Sequence, residues 1–363
     1  VTTSRSCTLP ISFEGSAGWG DAIAIVPWRL YEAYGDVGVL ERTYPAMRRW
    51  LAHVSEVAER FRHHARTGPT QPHERYLWDA GFHWGEWLEP GGQWSPMDDH
   101  GIVATAYYAW TARLMAQVAT VLGDADAAAE HAALAERVTD AWRTEYWRDG
   151  RLTHESQANY VRALTLGLVP DADRAAAASR LVELVHEADD HLGTGFLTTP
   201  WLLPTLADAG HADLAHRVLG QRDYPGWLIM PERGATTVWE NWDGVDPEGI
   251  ASASLSHYSK GGVIDFFHSH IAGLRRLEPG WTRFAVAPVP GGGITWAEAS
   301  FDSPQGRIAV RWEADGDVLR AEVTVPEGSV AEVMLPGAQP VELDPGRHVV
   351  NSGAMVDPGT SPA

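Results

Sequence analysis

The chain has 363 residues and a formal net charge of -20, with a pI near 5.1, so its long-range field repels polyanions and argues against nucleic acid or an anionic membrane surface as a partner. One cysteine, Cys7, excludes an internal disulfide and fits a reducing cytoplasm, and no stretch is long and apolar enough to span a bilayer. The 17 tryptophans suit stacking on neutral ligands, with helix packing as the plain alternative.

Residues 1–20 read as irregular, interrupted by Pro10, Gly15, Gly18 and Gly20. The first residues hold no apolar leader, and a start at Val1 that runs at once into a motif suggests a chain that begins inside a larger protein. Asp21 is placed to cap a helix over 22–34, whose Ile25, Trp28, Leu30 and Tyr31 recur near helical spacing. After Gly35-Asp36, a longer helix is predicted from Val37 to His64, with Leu40, Tyr44, Met47, Leu51, Val54, Val57 and Phe61 at steps of three and four.

From Thr67 to Asp99 the composition turns to Gly, Pro and Trp, as in a long functional loop. Its sharpest element is Phe82-His-Trp-Gly-Glu-Trp-Leu88, where Glu86 can bond a sugar hydroxyl, and Trp78, Trp84, Trp87 and Trp94 can serve as platforms. The bland alternative is a surface acid in a packed loop. Helical pairs then resume, with stripes over 102–121 and 132–146 and further helices across 157–168, 171–187, 199–209, 212–220 and 256–277. Such hairpins suggest a closed ring of helices with functional loops at one rim. Beyond Pro279-Gly280, short runs with period-two alternation between turn clusters predict an antiparallel β-sandwich, with a loose tail after 350. The expected division is therefore 1–278, 279–350 and 351–363.

Within the helical part, Arg233-Gly-Ala-Thr-Thr-Val-Trp-Glu-Asn-Trp-Asp-Gly244 sets the Glu240 carboxylate between Trp239 and Trp242 on an extended, turn-rich segment. An acid flanked by aromatic faces is the usual furniture of a carbohydrate site, and loops on a scaffold are where chemistry concentrates. His257, in Ser-Leu-Ser-His-Tyr, is close enough in sequence to reach the same pocket. The competing possibility is that both tryptophans are core and Glu240 is a solvated loop acid. The 16 histidines are scattered without a recognised ligand spacing, and no phosphate-binding glycine loop follows a predicted strand, so neither a metal nor a cofactor is expected.

Five stretches, in order and spacing, carry a family resemblance. They are Gly18-Trp-Gly-Asp-Ala-Ile-Ala-Ile-Val-Pro-Trp28 with Tyr34-Gly-Asp36, Phe82-His-Trp-Gly-Glu-Trp-Leu88, Gly234-Ala-Thr-Thr-Val-Trp-Glu-Asn-Trp-Asp-Gly244, Ser256-His-Tyr258 and Pro290-Gly-Gly-Gly-Ile-Thr-Trp-Ala297. Together they resemble bacterial α-L-rhamnosidases from about Gly15 to Trp312. The resemblance implies a mainly α fold, an (α/α) six-hairpin barrel followed by a small β-sandwich. It also implies hydrolysis of terminal α-L-rhamnosyl groups with inversion, in which one carboxyl protonates the leaving oxygen and another activates water, roughly 6.5–9.5 Å away. By this resemblance Glu240 is the general base, His257 contacts the sugar, and Trp19 and Trp239 form the apolar wall under the rhamnose methyl. Asp21, Glu86 and Trp87 complete the implied substrate contacts, with Glu86 standing where the family usually has Asp.

The family's upstream Asp-Glu-Arg-x-Gly-Trp-x-Gly-Asp segment, which supplies the general acid, has no counterpart here, and Glu14-Gly-Ser-Ala-Gly-Trp-Gly-Asp21 imitates it only superficially. The expectation is a C-terminal portion of a barrel whose exposed apolar faces favour self-association, with impaired hydrolysis on its own. Two other readings are a non-catalytic carbohydrate-binding remnant and another helical-barrel glycosidase or lyase.

Overall fold

A computed structural model describes residues 15–352 apart from positions 93, 96 and 317. Val1, Cys7, Glu14 and the tail beyond 352 lie outside the described residues.

Four antiparallel helical hairpins follow one another: α1 (Ala22–Tyr34) with α2 (Val37–Arg60), α3 (Gly101–Val121) with α4 (Ala125–Tyr146), α5 (Gln157–Thr165) with α6 (Arg174–Glu187), and α7 (Thr199–Asp208) with α8 (Ala212–Leu219). Two short paired strands, β1 (Trp147–Arg148) and β2 (Arg151–Leu152), lie between α4 and α5, and a single turn, α9 (Ile229–Glu232), follows α8. Local chemistry sets their ends. Gly35 closes α1 in the left-handed region, where its N–H reaches the Tyr31 carbonyl. Asp36, Asp124 and Ser156 cap α2, α4 and α5 by accepting from the backbone N–H groups of Gly38, Ala127 and Asn159. Asp21 differs from its expected role: it precedes α1 but makes no cap to that helix, because its carboxylate is turned back to the N–H of Gly18.

The odd-numbered helices touch in succession, α1 on α3, α3 on α5 and α5 on α7, while each even-numbered helix covers its partner. Burial follows this arrangement. α3 is buried on almost every side, whereas α2 buries only the stripe of Leu40, Met47, Leu51, Val54 and Val57. At the edge of the arc, α1 leaves Val26 and Leu30 exposed.

The continuous helix expected over 256–277 is broken into α10 (Tyr258–Gly261), α11 (Ile264–Phe266), a π-helical turn (Phe267–Ile271) and the first strand of a sheet, β3 (Leu274–Arg276). Gly273 explains where the helical run ends. It sits at φ 82, and a Cβ there would come within 2.2 Å of Pro288 N, so the chain turns at a point where the next strand passes against its backbone.

Beyond it, β5 (Trp296–Ser303), β6 (Gly306–Asp315), β7 (Val318–Val325) and β10 (Gly346–Asn351) form one sheet in the order β10-β7-β6-β5. β3, β4 (Arg283–Val286), β8 (Val330–Val333) and β9 (Val341–Leu343) form the other, in chain order. The pairing within these two sheets is antiparallel except between β4 and β8, which are parallel because the chain crosses to the first sheet and back between them. Phe284, Val286, Ile308, Val310, Trp312 and Val323 fill the space between the sheets. Trp312 also donates its indole N–H to the carbonyl of Ile271 at 2.8 Å, fastening the sheets to the helical layer.

Candidate active site

Residues 238–257 fold as an irregular hairpin. The N–H of Glu240 donates to the Ser254 carbonyl (2.9 Å), that of His257 to the Val238 carbonyl (2.8 Å), and that of Ser252 to the Gly244 carbonyl (2.8 Å). Strand-like pairing turns neighbouring side chains to opposite sides. Glu240 therefore faces outward, half-buried, while Trp239 and Trp242 are each only 3% exposed. Trp239 is packed in the helical core, so the open apolar wall expected of it is not what this geometry presents. Trp242 packs edge-on against Trp227, with centroids 5.2 Å apart.

One oxygen of Glu240 is anchored and the other is not. Oε2 accepts the N–H of Ser254 at 3.0 Å, and no hydrogen bond to Oε1 is recorded among the described residues. The Glu240 carbonyl accepts from Lys260 Nζ. A carboxylate held through one oxygen, with the second open to solvent, is suited to orient and deprotonate a water molecule.

His257 caps α10 by accepting the N–H of Ser259 at its Nδ1 (3.3 Å), and its ring lies 4.5 Å from that of Phe196. The Phe196 N–H in turn donates to the Trp87 carbonyl at 2.8 Å. Trp87 packs on Trp84 at 4.7 Å, and Trp84 on Trp19 at 6.2 Å. A series of contacts thus joins Trp19, Trp87 and His257, and the pairing of His257 with Val238 sets Glu240 two residues further along the same hairpin.

Asp21 and Glu86 occupy different settings from those expected of sugar ligands. Asp21 is fully buried, with Oδ2 accepting from Gly18 N (2.8 Å) and Oδ1 from Trp50 Nε1 and Thr111 Oγ1 (2.8 Å each). Burial raises its pKa, while those hydrogen bonds pull the other way. It ties the Trp19 turn to α2 and α3. Glu86 is held as firmly: Arg162 Nη2 donates to Oε2, and Oε1 accepts from both Thr198 N (3.0 Å) and Thr198 Oγ1 (2.8 Å). The Arg162 and Glu86 side chains are 1% and 7% exposed.

Glu86 still borders an open space, a cavity of about 530 Å³ whose walls include Trp87, Glu89, Trp94, Asp243 and Lys260. Glu240 adjoins this cavity in sequence through Asn241, Trp242 and Asp243, whereas Trp19, Asp21, Trp239, Glu240 and His257 are not among the residues that line it. Sequence reasoning missed Glu89. Burial, reinforced by the neighbouring Glu86 carboxylate, pushes its pKa up to about 7, so near neutrality it can donate a hydrogen bond into the cavity. A signal existed in the backbone rather than the motif: Leu88, a non-glycine residue at φ 56, makes the turn that presents Glu89. Arg162 and Lys260 were also missed, because each meets its partner only through the tertiary fold. No group of three His, Cys, Asp or Glu side chains suited to a metal ion occurs among the described residues, and none of the described helices is long and apolar enough to cross a membrane.

Comparison with known proteins adds an independent finding. Residues 7–271 match the model of the bacterial alpha-L-rhamnosidase 6 hairpin glycosidase domain, and residues 273–349 match that of the bacterial alpha-L-rhamnosidase C-terminal domain. An alpha-L-rhamnosidase of Streptomyces avermitilis is 39% identical over 331 residues, which is 90% of this chain and 30% of that protein. The crystal structure of the Streptomyces avermitilis alpha-L-rhamnosidase complexed with L-rhamnose superposes with a TM-score of 0.80 at 34% identity, covering 95% of this chain and 33% of that one. Native rhamnosidase from Aspergillus terreus superposes with a TM-score of 0.84 at 30% identity, over 94% of this chain and 39% of that one. The chain thus spans about a third of the length of these relatives.

Proposed function

Since the chain belongs to the bacterial α-L-rhamnosidase family, we propose that it carries the water-activating half of a site that hydrolyses terminal α-L-rhamnosyl groups with inversion. The observation that carries this reading is Glu240: an outward carboxylate with one oxygen fixed by Ser254 and the other open, beside a cavity large enough for a sugar. In an inverting hydrolysis such a base removes a proton from water as the oxygen attacks the anomeric carbon, and the leaving oxygen takes a proton from a separate acid. Among the described carboxyls Glu86 is committed to Arg162 and Thr198, and Asp21 is enclosed. Neither is free to donate that proton.

In the same proposal, Trp87 and His257 approach the sugar from the cavity side and from behind the Phe196 ring. Asp21 and Glu86 act on it through the parts they hold, and Trp19 and Trp239 back the wall. A cytoplasmic setting belongs to the proposal as well, resting on a single cysteine.

The test uses an aryl rhamnoside whose leaving group needs no protonation. The chain is expected to turn it over with one-step inversion, seen by NMR of the freshly released sugar, and Glu240→Gln is expected to stop it. Calorimetric binding of rhamnose with no turnover of any aryl rhamnoside would replace this reading with a binding module. Undiminished turnover by Glu240→Gln would remove Glu240 from the chemistry.

A further inference from the structure

Of the 28 basic side chains in this protein 27 are arginine, and the one lysine is Lys260. Its residue is 3% exposed, its Nζ donates to the Glu240 carbonyl, and the same nitrogen lies 4.6 Å from the centroid of Trp242 and 5.2 Å from that of Phe196. Among the described residues it forms no ion pair. The backbone carbonyl of Lys260 accepts the indole N–H of Trp227 at 3.0 Å, and Trp227 packs edge-on against Trp242, so both ends of the residue are fixed to the walls around it.

Burying an ammonium without a contacting carboxylate costs stability, and aromatic faces offset only part of that cost. An apolar side chain of the same length would fill the space without it. A chain that uses arginine for every other basic position has kept a compact, strongly hydrated cation at a place where hydration is withdrawn. Arginine's planar fork would need room for five donors, where the cage offers one acceptor and two ring faces.

We propose that Lys260 is a positioning residue for Glu240: bonded to its carbonyl and caged by Trp242 and Phe196, the ammonium holds the main chain of the base and sets a positive charge near its carboxylate. This rests on the reading of Glu240 as the base. Two anchors then act together, Ser254 N–H on Oε2 and Lys260 on the carbonyl of the same residue. The Lys260 pKa supports the arrangement without carrying it: burial lowers it to about 8, and the carboxylates of Glu240 and Asp243 oppose the fall.

The experiment exploits the single lysine. Protein labelled with ¹³C at the lysine ε carbon gives one side-chain resonance, whose midpoint is followed against pH in the wild type and in Glu240→Gln. Removing the nearby carboxylate is expected to lower that midpoint by about 1 on the pH scale, and an unmoved midpoint overturns the coupling. This readout needs no turnover, so it decides the proposal even if the hydrolytic reading fails. In turnover of the activated aryl rhamnoside, Lys260→Met and Lys260→Arg are each expected to lower kcat at least tenfold with KM changed less than twofold. Added ethylammonium is expected to recover part of the rate of Lys260→Ala, and glycerol is not. A Lys260→Arg enzyme as fast as the wild type would overturn the argument from the compact cation. If Lys260→Met does not fold, the labelled Glu240→Gln protein still decides.

Discussion

Two loops of this molecule place a glutamate beside tryptophan, and they treat it in opposite ways. In Gly85-Glu-Trp87 the carboxylate is sealed in, paired with Arg162 and doubly bonded by Thr198. In Trp239-Glu-Asn-Trp242 the tryptophans are sealed in and the carboxylate is left half-exposed with one oxygen open. Flanking aromatics therefore do not say which partner faces the ligand. What decides is the backbone: pairing of 238–240 with 254–257 turns the acid outward, whereas Glu86 is drawn inward by a cation 76 residues away in sequence. One glutamate keeps a carboxylate oxygen unbonded, and the other is held in place in a wall.

The largest expected effect would break this contrast if it failed. Glu240→Gln should cost roughly 10²–10⁴-fold or more in turnover of the activated rhamnoside, the usual scale for a lost general base. Its unfolding midpoint in urea should stay close to wild type, because an amide oxygen can still accept the Ser254 N–H. A variant that loses folding and activity in parallel would make Glu240 a structural acid like its counterpart.

Glu86→Gln should show the reverse pattern. Removing one member of a buried pair strands the other charge, at a cost of about 3–5 kcal/mol. The measurement is denaturant unfolding of Glu86→Gln, of Arg162→Met and of the double variant. The double variant should be more stable than Glu86→Gln, since it leaves no unpaired charge, and a simple sum of the two losses would refute the pairing as the source of stability.

Glu89 sharpens the contrast through pH. Its carboxyl goes from an ordinary 4.5 to about 7 in the folded chain, chiefly through burial, so the native state holds a proton that the unfolded state releases between those values. Stability from this group is present below about 4.5 and is lost as pH rises through about 7, by no more than about 3 kcal/mol. Unfolding of the wild type at pH 4.5 and pH 8, compared with Glu89→Gln, should show that slope in the wild type and its removal in the variant. Equal slopes would mean that Glu89 titrates as an exposed acid does.

Much of the fold was legible because it is written in local chemistry. The three-and-four spacing of Leu40, Met47, Leu51 and Val54, ended by a left-handed Gly35 on one side and capped by Asp36, leaves few alternatives for α1 and α2. The alternation in β6 and β7 works in the same way, with Ile308, Val310 and Trp312 buried opposite Leu319, Ala321 and Val323. The helical run expected across 256–277 stops short of its predicted end for a non-local reason: Gly273 must let Pro288 pass, and that neighbour is invisible to periodicity. The site divides along the same line. Glu240 could be singled out as a candidate because its motif is contiguous, while Arg162, Glu89 and Lys260 gain their meaning from Glu86, from the turn at Leu88 and from the Glu240 carbonyl. For Trp239 the spacing to Glu240 was clear in the sequence, but the side to which the backbone turns each of them was not.

The smallest expected effect asks which of its bonds holds the inward glutamate. Thr198→Val keeps the branched shape and the backbone N–H at 3.0 Å but removes the hydroxyl that donates at 2.8 Å to the same Oε1. One neutral-to-charged hydrogen bond is then lost while the carboxylate stays paired with Arg162, so the stability loss should be about 1–2 kcal/mol, well short of that for Glu86→Gln. Activity should change little, because the wall remains in place. A loss as large as that of Glu86→Gln would shift the anchor from the ion pair to the hydroxyl. The inward pull on Glu86 would then come from the start of α7 rather than from α5, and the two loops would differ by one hydroxyl more than by one buried cation.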